Sequence, residues 1–270
     1  MVALLVATLI GVFITPDGIV IGADTALSNL GGQVASQQKY CITGPRSVAT
    51  MQGAYWLEDT VTKATVELHN RFKELCSDVD GSVSPMTLRQ QADHIANGLK
   101  ADLVEFLEHL PAAAVVSYAS DPVVARVAVT GYSEKGPESV VVGIGIATDR
   151  ATNRWEAQVR PLARLTFSAV CGVRFHGQES VVSVLQTDKG VRIPKAELQQ
   201  TDVARLAGLL RGECGDASTR SAAGMFLQAV RLTVTLGPGF GVPQGAVSMP
   251  VDIVVIPRDG AIDVQRVTSW

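Results

Sequence analysis

Apolar residues recur along the chain in two different patterns, short continuous runs and a helical period, and these predict where strands and helices lie. The first 25 residues hold two short Val/Ile-rich runs on either side of Thr15-Pro16-Asp17-Gly18. Pro-Asp-Gly is typical of a tight turn, and short apolar runs of this kind are typical of strands covered on both faces. The sequence therefore predicts an N-terminal β-hairpin, followed by short strands at residues 39–42 and 47–51.

The spacing of apolar residues then changes to the helical period. Between residues 56 and 76 apolar side chains recur every three or four positions, which predicts an amphipathic helix. A second helix is predicted to begin with Ser84 as N-cap and Pro85 in its first turn, and to run to about Leu110. Later helices are predicted at residues 178–185, 201–210 and 217–235.

Strands return on either side of these later helices. They are predicted at residues 113–118, 123–130, 139–146 and 154–159, with a hairpin turn at 131–136, and at 251–256 and 261–267. The stretch GPGFGVPQG, residues 237–245, is predicted to be a surface loop. Strands in hairpins with helices gathered between them favour antiparallel sheets over repeated βαβ units. The predicted fold class is therefore α+β, a four-layer αββα sandwich of two antiparallel sheets.

Composition and charge restrict the classes of function. The chain has 270 residues, of which 47% are hydrophobic and 18% charged, which suits a single soluble domain over residues 1–270. The net charge of -3 and the scattered lysines and arginines argue against a nucleic-acid partner. The first 14 residues are apolar but too short to span a bilayer and lack a basic start, so no membrane segment is predicted.

Cysteine and histidine spacing gives no sign of a metal or cofactor. The four cysteines lie far apart without a CxxC pair, and the four histidines form no HxxxH or HExxH arrangement. We therefore predict no metal and no cofactor. Buried, reduced thiols in a cytoplasmic protein are the expectation for such cysteines.

Three segments resemble a known family. They are TLIGVFITPDGIVIGADT at residues 8–25, KYCITGPRSVATMQG at 39–53 and MPVDIVVIPRDG at 249–260. In this order they resemble the β-type subunits of the proteasome and their bacterial relatives, which are N-terminal nucleophile (Ntn) hydrolases. The resemblance is close over residues 1–55 and the last 25 residues, and weak between them. It implies the αββα sandwich that the hydrophobic pattern also predicts.

The resemblance implies that a threonine becomes the first residue once a leader is removed. One residue then supplies both the nucleophilic hydroxyl and a free amine that takes its proton. Counting back without a gap from Gly22-Ala23-Asp24-Thr25 places Thr8 at this position, with MVALLVA, residues 1–7, as a short propeptide. An alignment anchored on Gly11 instead places Ala7 there, which would leave no nucleophile. We prefer Thr8.

The same resemblance assigns supporting roles to three further residues. Asp24 matches a carboxylate that orients a lysine beside the nucleophile. Lys39 matches that lysine, although a competing alignment places Gln38 there; the spacing from Lys39 to Gly53 favours Lys39. Gly53 matches the glycine whose backbone N–H stabilises the oxyanion of the tetrahedral intermediate.

The chain also departs from the family pattern. A serine expected in a GSG-like turn has no counterpart in FSAVCGVRFHG, where Cys171 or Gly172 stands instead. A late aspartate has no clear counterpart, and Ser248 is the candidate for the late serine. Ala7 stands where the family more often has glycine before the threonine, a departure that leaves open whether self-cleavage is slow or absent.

Three functions follow from these observations. The first is a threonine-type hydrolase, a proteasome β-subunit-like peptidase that acts on a peptide or unfolded protein. The resemblance further implies a ring-forming homo-oligomer and an ATP-dependent unfoldase as partner. The alternatives are a catalytically inactive structural or binding subunit, which the missing serine and aspartate favour, and an amidase for a small substrate.

Overall fold

The computed structural model describes residues 2–6, 8–29, 32–59, 61–109, 123–149, 154–166, 171–177, 180–186, 196, 200–242 and 244–269. The chain divides into two compact units. One comprises Met1–Val6 and Tyr40–Thr166, and the other comprises Ala7–Lys39 and Phe167–Trp270. Each unit has its own sheet and its own helices, and we describe them in turn as the first and the second unit.

Strands and helices follow one another in groups along the described ranges. The strands are β1 (Val2–Val6), β2 (Leu9–Thr15), β3 (Gly18–Asp24), β4 (Ala26–Asn29), β5 (Gly32–Ser36), β6 (Tyr40–Gly44), β7 (Ser47–Glu58), β8 (Thr65–Val66), β9 (Ala125–Ser133), β10 (Gly136–Asp149), β11 (Arg154–Thr166), β12 (Gly172–Gly177), β13 (Val251–Pro257) and β14 (Asp263–Val267). The helices are α1 (Leu68–Asp80), α2 (Leu88–Glu108), α3 (Ser180–Ser183), α4 (Thr201–Leu210) and α5 (Thr219–Leu236).

The first unit is an antiparallel sheet covered by two helices. Its strand order is β1-β7-β9-β10-β11, and β6 and β8 also pair with β7. Helix α2 packs on β9, β10 and β11, and α1 packs on β6 and β7. Thr87 caps α2 with a capping box, in which Thr87 and Gln90 satisfy each other's backbone N–H groups.

The second unit is built on the N-terminal hairpin. Its antiparallel sheet has the order β12-β2-β3-β13-β14, and helices α4 and α5 pack against it. Three aromatic rings form the centre of its core, because Phe13 of β2 meets Phe175 of β12 and Phe226 of α5 edge to face. Apolar burial of this kind is the main force that holds a helix layer on a sheet.

Much of the predicted secondary structure is confirmed. The hairpin turn at Pro16-Asp17, the helix Thr201–Leu210 and the closing strands β13 and β14 lie where the pattern placed them. The β9–β10 hairpin turns at Glu134-Lys135, within the predicted segment. The predicted strand at residues 113–118 falls outside the described residues.

The predicted first residues of two helices were wrong. The predicted helix at residues 56–76 begins only at Leu68, because β7 continues to Glu58 and is paired there with β1 and β8. A run of apolar residues every three or four positions cannot by itself exclude a strand that long-range pairing stabilises. The second helix begins at Leu88 with Thr87 as N-cap, rather than at Ser84.

Smaller elements differ as well. The β4–β5 hairpin was not predicted, since its short strands contain Gly, Ser, Asn and Gln rather than an apolar run. Residues Gly237–Phe240, predicted as part of a surface loop, form a 3₁₀ turn. Val242, which follows this turn, is buried in the core of the second unit.

All four cysteines are disulfide-bonded, so the prediction of reduced thiols was wrong. Cys41 pairs with Cys76 in the first unit, and Cys171 pairs with Cys214 in the second. Their Cα atoms are 6.2 and 5.5 Å apart, within the range that a disulfide spans. The partners are 35 and 43 residues apart in sequence, so spacing could not reveal them. The cysteines therefore no longer support a cytoplasmic location, which stays a prediction.

The architecture is α+β, with two large antiparallel sheets, the small two-stranded β4–β5 sheet and five α-helices within the described ranges. Over the same ranges, no helix combines the length and the apolar character needed to cross a bilayer. The stacking of four layers and the single domain over residues 1–270 stay predictions.

The first unit contains one buried histidine whose titration should make folding sensitive to acid. His69 of α1 is 4% exposed and stacks on Tyr55, and neither ring nitrogen has a hydrogen-bond partner. Burial, with a smaller contribution from the Lys73 charge, lowers the pKa of His69 from 6.5 to about 4. The folded state therefore favours neutral His69, whereas the unfolded chain takes up the proton at a higher pH.

We expect the contribution of His69 to stability to be complete above pH 6.5 and to be lost as pH falls from about 6.5 to 4. The substitution His69→Phe keeps the stacking on Tyr55 and removes the ionisation. Its urea midpoint should therefore fall less steeply over this pH range than that of the wild type. Substitution of the exposed His94 by Gln is the control; equal pH slopes for His69→Phe and wild type would refute the assignment.

Candidate functional site

The candidate nucleophile, Thr8, lies immediately before β2 and is buried. Only 1% of the surface of Thr8 is exposed to solvent. The Oγ1 atom of Thr8 accepts a hydrogen bond of 2.7 Å from Nζ of Lys39. Three of the residues singled out in the sequence, Thr8, Lys39 and Asp24, are thereby brought together within the second unit.

Asp24, at the end of β3, completes this group. Both of its carboxylate oxygens lie 3.2 Å from Nζ of Lys39, and both residues are 0% exposed. The same carboxylate accepts hydrogen bonds from the backbone N–H of Leu9 at 2.8 Å and of Ala26 at 3.1 Å. Asp24 therefore ties Lys39 to the residue that directly follows Thr8.

Burial is the largest influence on the pKa values of Asp24 and Lys39. Loss of solvation raises the pKa of Asp24, although the Lys39 charge and the backbone hydrogen bonds act in the opposite direction. The same loss of solvation lowers the pKa of Lys39, against the attraction of Asp24. A lysine whose pKa is lowered can give up its proton and take one from a nearby hydroxyl.

The hairpin explains why these residues meet. In the β2–β3 register Ile10 pairs with Ala23, so the next step along both strands places Leu9 beside Asp24. Lys39 comes after the β4–β5 hairpin, which brings the chain back to the end of β3. There the N–H of Gln37 donates to the carbonyl of Thr25 at 2.7 Å. Asp24 and Lys39 are 15 residues apart in sequence, and this return brings them into contact.

Thr25 is a structural residue of this site that the sequence analysis did not single out. Its hydroxyl donates to the carbonyl of Pro250 at 2.8 Å and accepts from the hydroxyl of Ser36 at 2.7 Å. It therefore links the end of β3 with the chain segments before β6 and β13. The ADT sequence carried this signal, because a threonine directly after a strand end can bond to neighbouring backbone.

Gly177 is a second residue that sequence reasoning missed. It ends β12, pairs with Leu9, and has φ of +92°, a conformation that favours glycine. A Cβ atom at this position would overlap the backbone carbonyl oxygen of Thr8. The absence of a side chain at Gly177 thus allows β12 to support the backbone of the candidate nucleophile.

Neither Cys171 nor Gly172 lies beside Thr8 in the β12–β2 register. Both were considered for the position of the missing serine, but Gly172 pairs with Ile14, at the far end of β2 from Thr8. The residues of β12 nearest to Thr8 in register are Gly177 and His176. The register could not be found from sequence alone because β2 and β12 lie far apart along the chain.

The remaining predicted residues lie as follows. Gly53 is in β7 of the first unit, where it pairs with Val6 of β1 and has φ of +97°. Ser248 precedes β13 in the second unit, and its hydroxyl donates to the carbonyl of Met249 at 3.1 Å. Ala7, the alternative to Thr8, falls outside the described residues. The roles of Gly53 and Ser248 stay predictions.

We expect Gly177→Ala to disturb Thr8 more than an ordinary glycine substitution would. Gly212 has a similar φ of +88° but nothing within 4 Å of a Cβ, so Gly212→Ala is a matched control for backbone strain alone. Such strain costs about 1–3 kcal/mol. Gly177→Ala adds the overlap with the Thr8 carbonyl, so its urea midpoint should fall further. Equal losses for the two variants would contradict the contact.

The described residues contain no group of three or more His, Cys, Asp or Glu side chains arranged to hold a metal ion. What this site offers instead is a hydroxyl, an amine and a carboxylate in one buried chain of hydrogen bonds. Such an arrangement can activate a hydroxyl as a nucleophile.

Comparison with known proteins gives a likeness of fold. No protein-family model matches the chain, and no curated protein matches it in sequence. Among solved structures the chain is similar to an Anbu (Gly-1) mutant from Hyphomicrobium sp. strain MC1, with 13% identity and a TM-score of 0.50. The match covers 97% of this chain and 87% of that chain. Anbu has a proteasome-like fold related to the Ntn hydrolases. At this identity the likeness concerns the fold alone.

Proposed function

We propose that the chain is a threonine-type Ntn hydrolase that uses Thr8 as its nucleophile after residues 1–7 have been removed. The observation that carries this proposal is the buried hydrogen bond of 2.7 Å from Lys39 to the Thr8 hydroxyl, with Asp24 behind Lys39. Cleavage of the peptide bond before Thr8 would also create an α-amine on the residue that carries this hydroxyl. The proteasome-like fold of the Anbu neighbour agrees with this proposal.

The reaction follows from the positions of these groups. Removal of residues 1–7 gives Thr8 a free α-amine, whose ordinary pKa of about 7.7–8.0 leaves part of it neutral near pH 7. This amine takes the proton of the Thr8 hydroxyl while Oγ1 attacks the carbonyl carbon of the substrate. The tetrahedral intermediate expels the leaving amine, which receives the proton, and leaves an ester on Thr8. Water then hydrolyses the ester and restores the hydroxyl.

Lys39 and Asp24 have distinct roles in this scheme. A charged Lys39 donates to Oγ1 and favours the developing alkoxide, and Asp24 holds the Lys39 side chain in place. Before cleavage Thr8 has no free amine. At that stage Lys39, with its pKa lowered by burial, is the group in contact with Thr8 that can accept the hydroxyl proton.

A peptide substrate is supported by the pairing of β1. Residues Val2–Val6 form a strand that pairs antiparallel with β7, with Val6 opposite Gly53. Removal of residues 1–7 would leave this part of β7 without that partner strand. An extended peptide can add to such an edge through main-chain hydrogen bonds, with little demand on side chains. We propose that Gly53 then donates its N–H to the oxyanion and that Ser248 helps to orient the amine.

Partners and assembly belong to the same proposal. By resemblance to the proteasome β-type subunits, the chain would form a ring of identical subunits that receives unfolded protein from an ATP-dependent unfoldase. Size measurement of the purified protein tests the ring. A small-substrate amidase would share Thr8 but would not need the strand-binding edge of β7.

A second candidate function is a catalytically inactive structural subunit. Two observations favour it: Thr8 is only 1% exposed, and the leader forms strand β1 of the first unit. A retained leader would be a permanent part of that sheet. Thr8 would then be an ordinary buried threonine bonded to Lys39.

Two defined forms of the protein separate these functions. In one, a fusion partner is removed so that the chain begins at Thr8; in the other, residues 1–7 are present, and only material whose intact mass shows that they are retained is assayed. If the chain is a peptide hydrolase, the first form should cleave fluorogenic peptides and the second form should not. If the chain is a small-substrate amidase, the first form should cleave small amides but not peptides of six or more residues. Equal inactivity of the first form on both substrates would support the structural subunit.

A further inference from the structure

A histidine lies beside Thr8 on the edge strand of the second unit. In the β12–β2 register His176 pairs with Ile10 and Gly177 pairs with Leu9. Thr8 is therefore one step beyond the last paired residue of β2, and His176 is its diagonal neighbour. Diagonal neighbours in an antiparallel pair are about 7–8 Å apart, which is within reach of long side chains.

The two side chains belong to the same face of the sheet. Phe175 and Leu9 are part of the core that the helices cover, so the alternation of strand residues assigns His176, Ile10 and Thr8 to the opposite face. The backbone of Thr8 is held against Gly177, directly after His176. The Nε2 atom of His176 is shielded from solvent. This is the face on which Thr8 bonds to Lys39.

We propose that His176 is a positioning residue for the α-amine of Thr8, accepting a hydrogen bond from it and turning its lone pair toward Oγ1. This inference rests on the proposed function, because the amine exists only after residues 1–7 are removed. A neutral imidazole has one acceptor nitrogen, which suits this role. A protonated imidazole has none, so His176 adds a second ionisation to the acid side of the activity profile.

Charged groups lie on several of the described elements around His176. On its own strand and face Arg174 pairs with Val12, two positions farther from Thr8. At Thr8 the Lys39–Asp24 ion pair combines opposite charges. Helix α4 packs on β12 from the core side, where Asp202 bonds to Arg205. The amine of a processed Thr8 would therefore be a new charge on the His176 side of the sheet.

A proton NMR titration of the histidine rings tests the placement without requiring catalysis. Two forms of the Thr8→Ala protein are compared, one beginning at residue 8 and one with residues 1–7 retained, so that neither processes itself. His176→Gln identifies the resonance among the four histidines. We expect His176 to titrate at lower pH, by about half a unit or more, when the free amine is present, because like charges repel. The exposed His94 should not shift. Equal titration of His176 in both forms would overturn the proposal.

Rates provide the second readout. In the form beginning at Thr8, His176→Ala should lower kcat by about tenfold or more with little change in KM, because the amine loses its orientation. His176→Gln should recover most of the rate, since an amide oxygen accepts the same hydrogen bond, and should remove one ionisation from the acid limb. Arg174→Gln is the control and should leave kcat unchanged. Equal kcat values for His176→Ala and Arg174→Gln would also overturn it. Inactivity of the parent form would refute the proposed function, and the titration would still decide the role of His176.

Discussion

Thr8→Ala is expected to abolish hydrolysis in the form that begins at residue 8. Loss of the nucleophile from an enzyme that works through a covalent acyl intermediate lowers kcat on the order of 10⁶-fold. The substitution removes Oγ1, the only side-chain atom of this residue that can attack a carbonyl. Initial rates on a fluorogenic peptide, measured at equal concentrations of both proteins, give the comparison.

Two controls make this result specific to the hydroxyl. Thr8→Ser keeps the hydroxyl and should retain measurable activity. Thr8→Ala should remain folded, since the loss of one hydrogen-bond acceptor for Lys39 costs about 1–3 kcal/mol. A circular dichroism spectrum and a urea titration check this. Hydrolysis that survives in Thr8→Ala would place the chemistry elsewhere.

Lys39→Met is expected to damage both stability and activity. It leaves the Asp24 carboxylate 0% exposed without its counter-charge, and breaking such a buried pair costs about 3–5 kcal/mol. Activity should fall by about 10²–10⁴-fold, the usual contribution of a positioned proton-transfer group. Urea unfolding and peptide hydrolysis measure the two effects separately.

The pH dependence of Lys39→Met has a definite sign. Burial already raises the pKa of Asp24, and removal of the Lys39 charge takes away the main influence that lowers it. A carboxyl whose pKa is higher in the folded than in the unfolded state is most stabilising when protonated. The variant should therefore gain stability relative to the wild type as pH falls toward the raised pKa of Asp24, and lose it as pH rises.

A double substitution separates the two effects of Lys39. Asp24→Asn with Lys39→Met removes both charges, and the amide oxygen of Asn can still accept the hydrogen bond from Leu9. We expect this protein to recover most of the stability lost in Lys39→Met and none of the activity. Recovery of activity would show that Lys39 acts only by stabilising the fold.

The parts of the site that lie close together in sequence could be predicted. Thr8 and Asp24 belong to one hairpin, and the turn residues Pro16 and Asp17 fix its register. Lys39 begins the second resembling segment, and its spacing to Gly53 was needed to choose it over Gln38. The structure brings these residues together as expected, although their catalytic roles stay predictions.

The parts contributed by distant strands could not be predicted. Gly177 and His176 reach Thr8 through the pairing of β12 with β2, and no local pattern specifies which residues of two strands face each other over such a separation. The disulfides are similar, because each joins a strand or strand end to a helical region brought near it by folding. The end of β7 was missed for the same reason, since its last residues are held by pairing with β1 and β8.

The intact mass of the full-length protein after purification tests the central claim most directly. The account predicts a mass lower by that of residues 1–7, with Thr8 as the first residue, and the full-length mass for Thr8→Ala purified in the same way. Cleavage that depends on Thr8 would show that its hydroxyl acts on a carbonyl. A wild-type protein that is folded, hydrolyses peptide and still begins at Met1 would contradict the account, because Thr8 would then have no free amine.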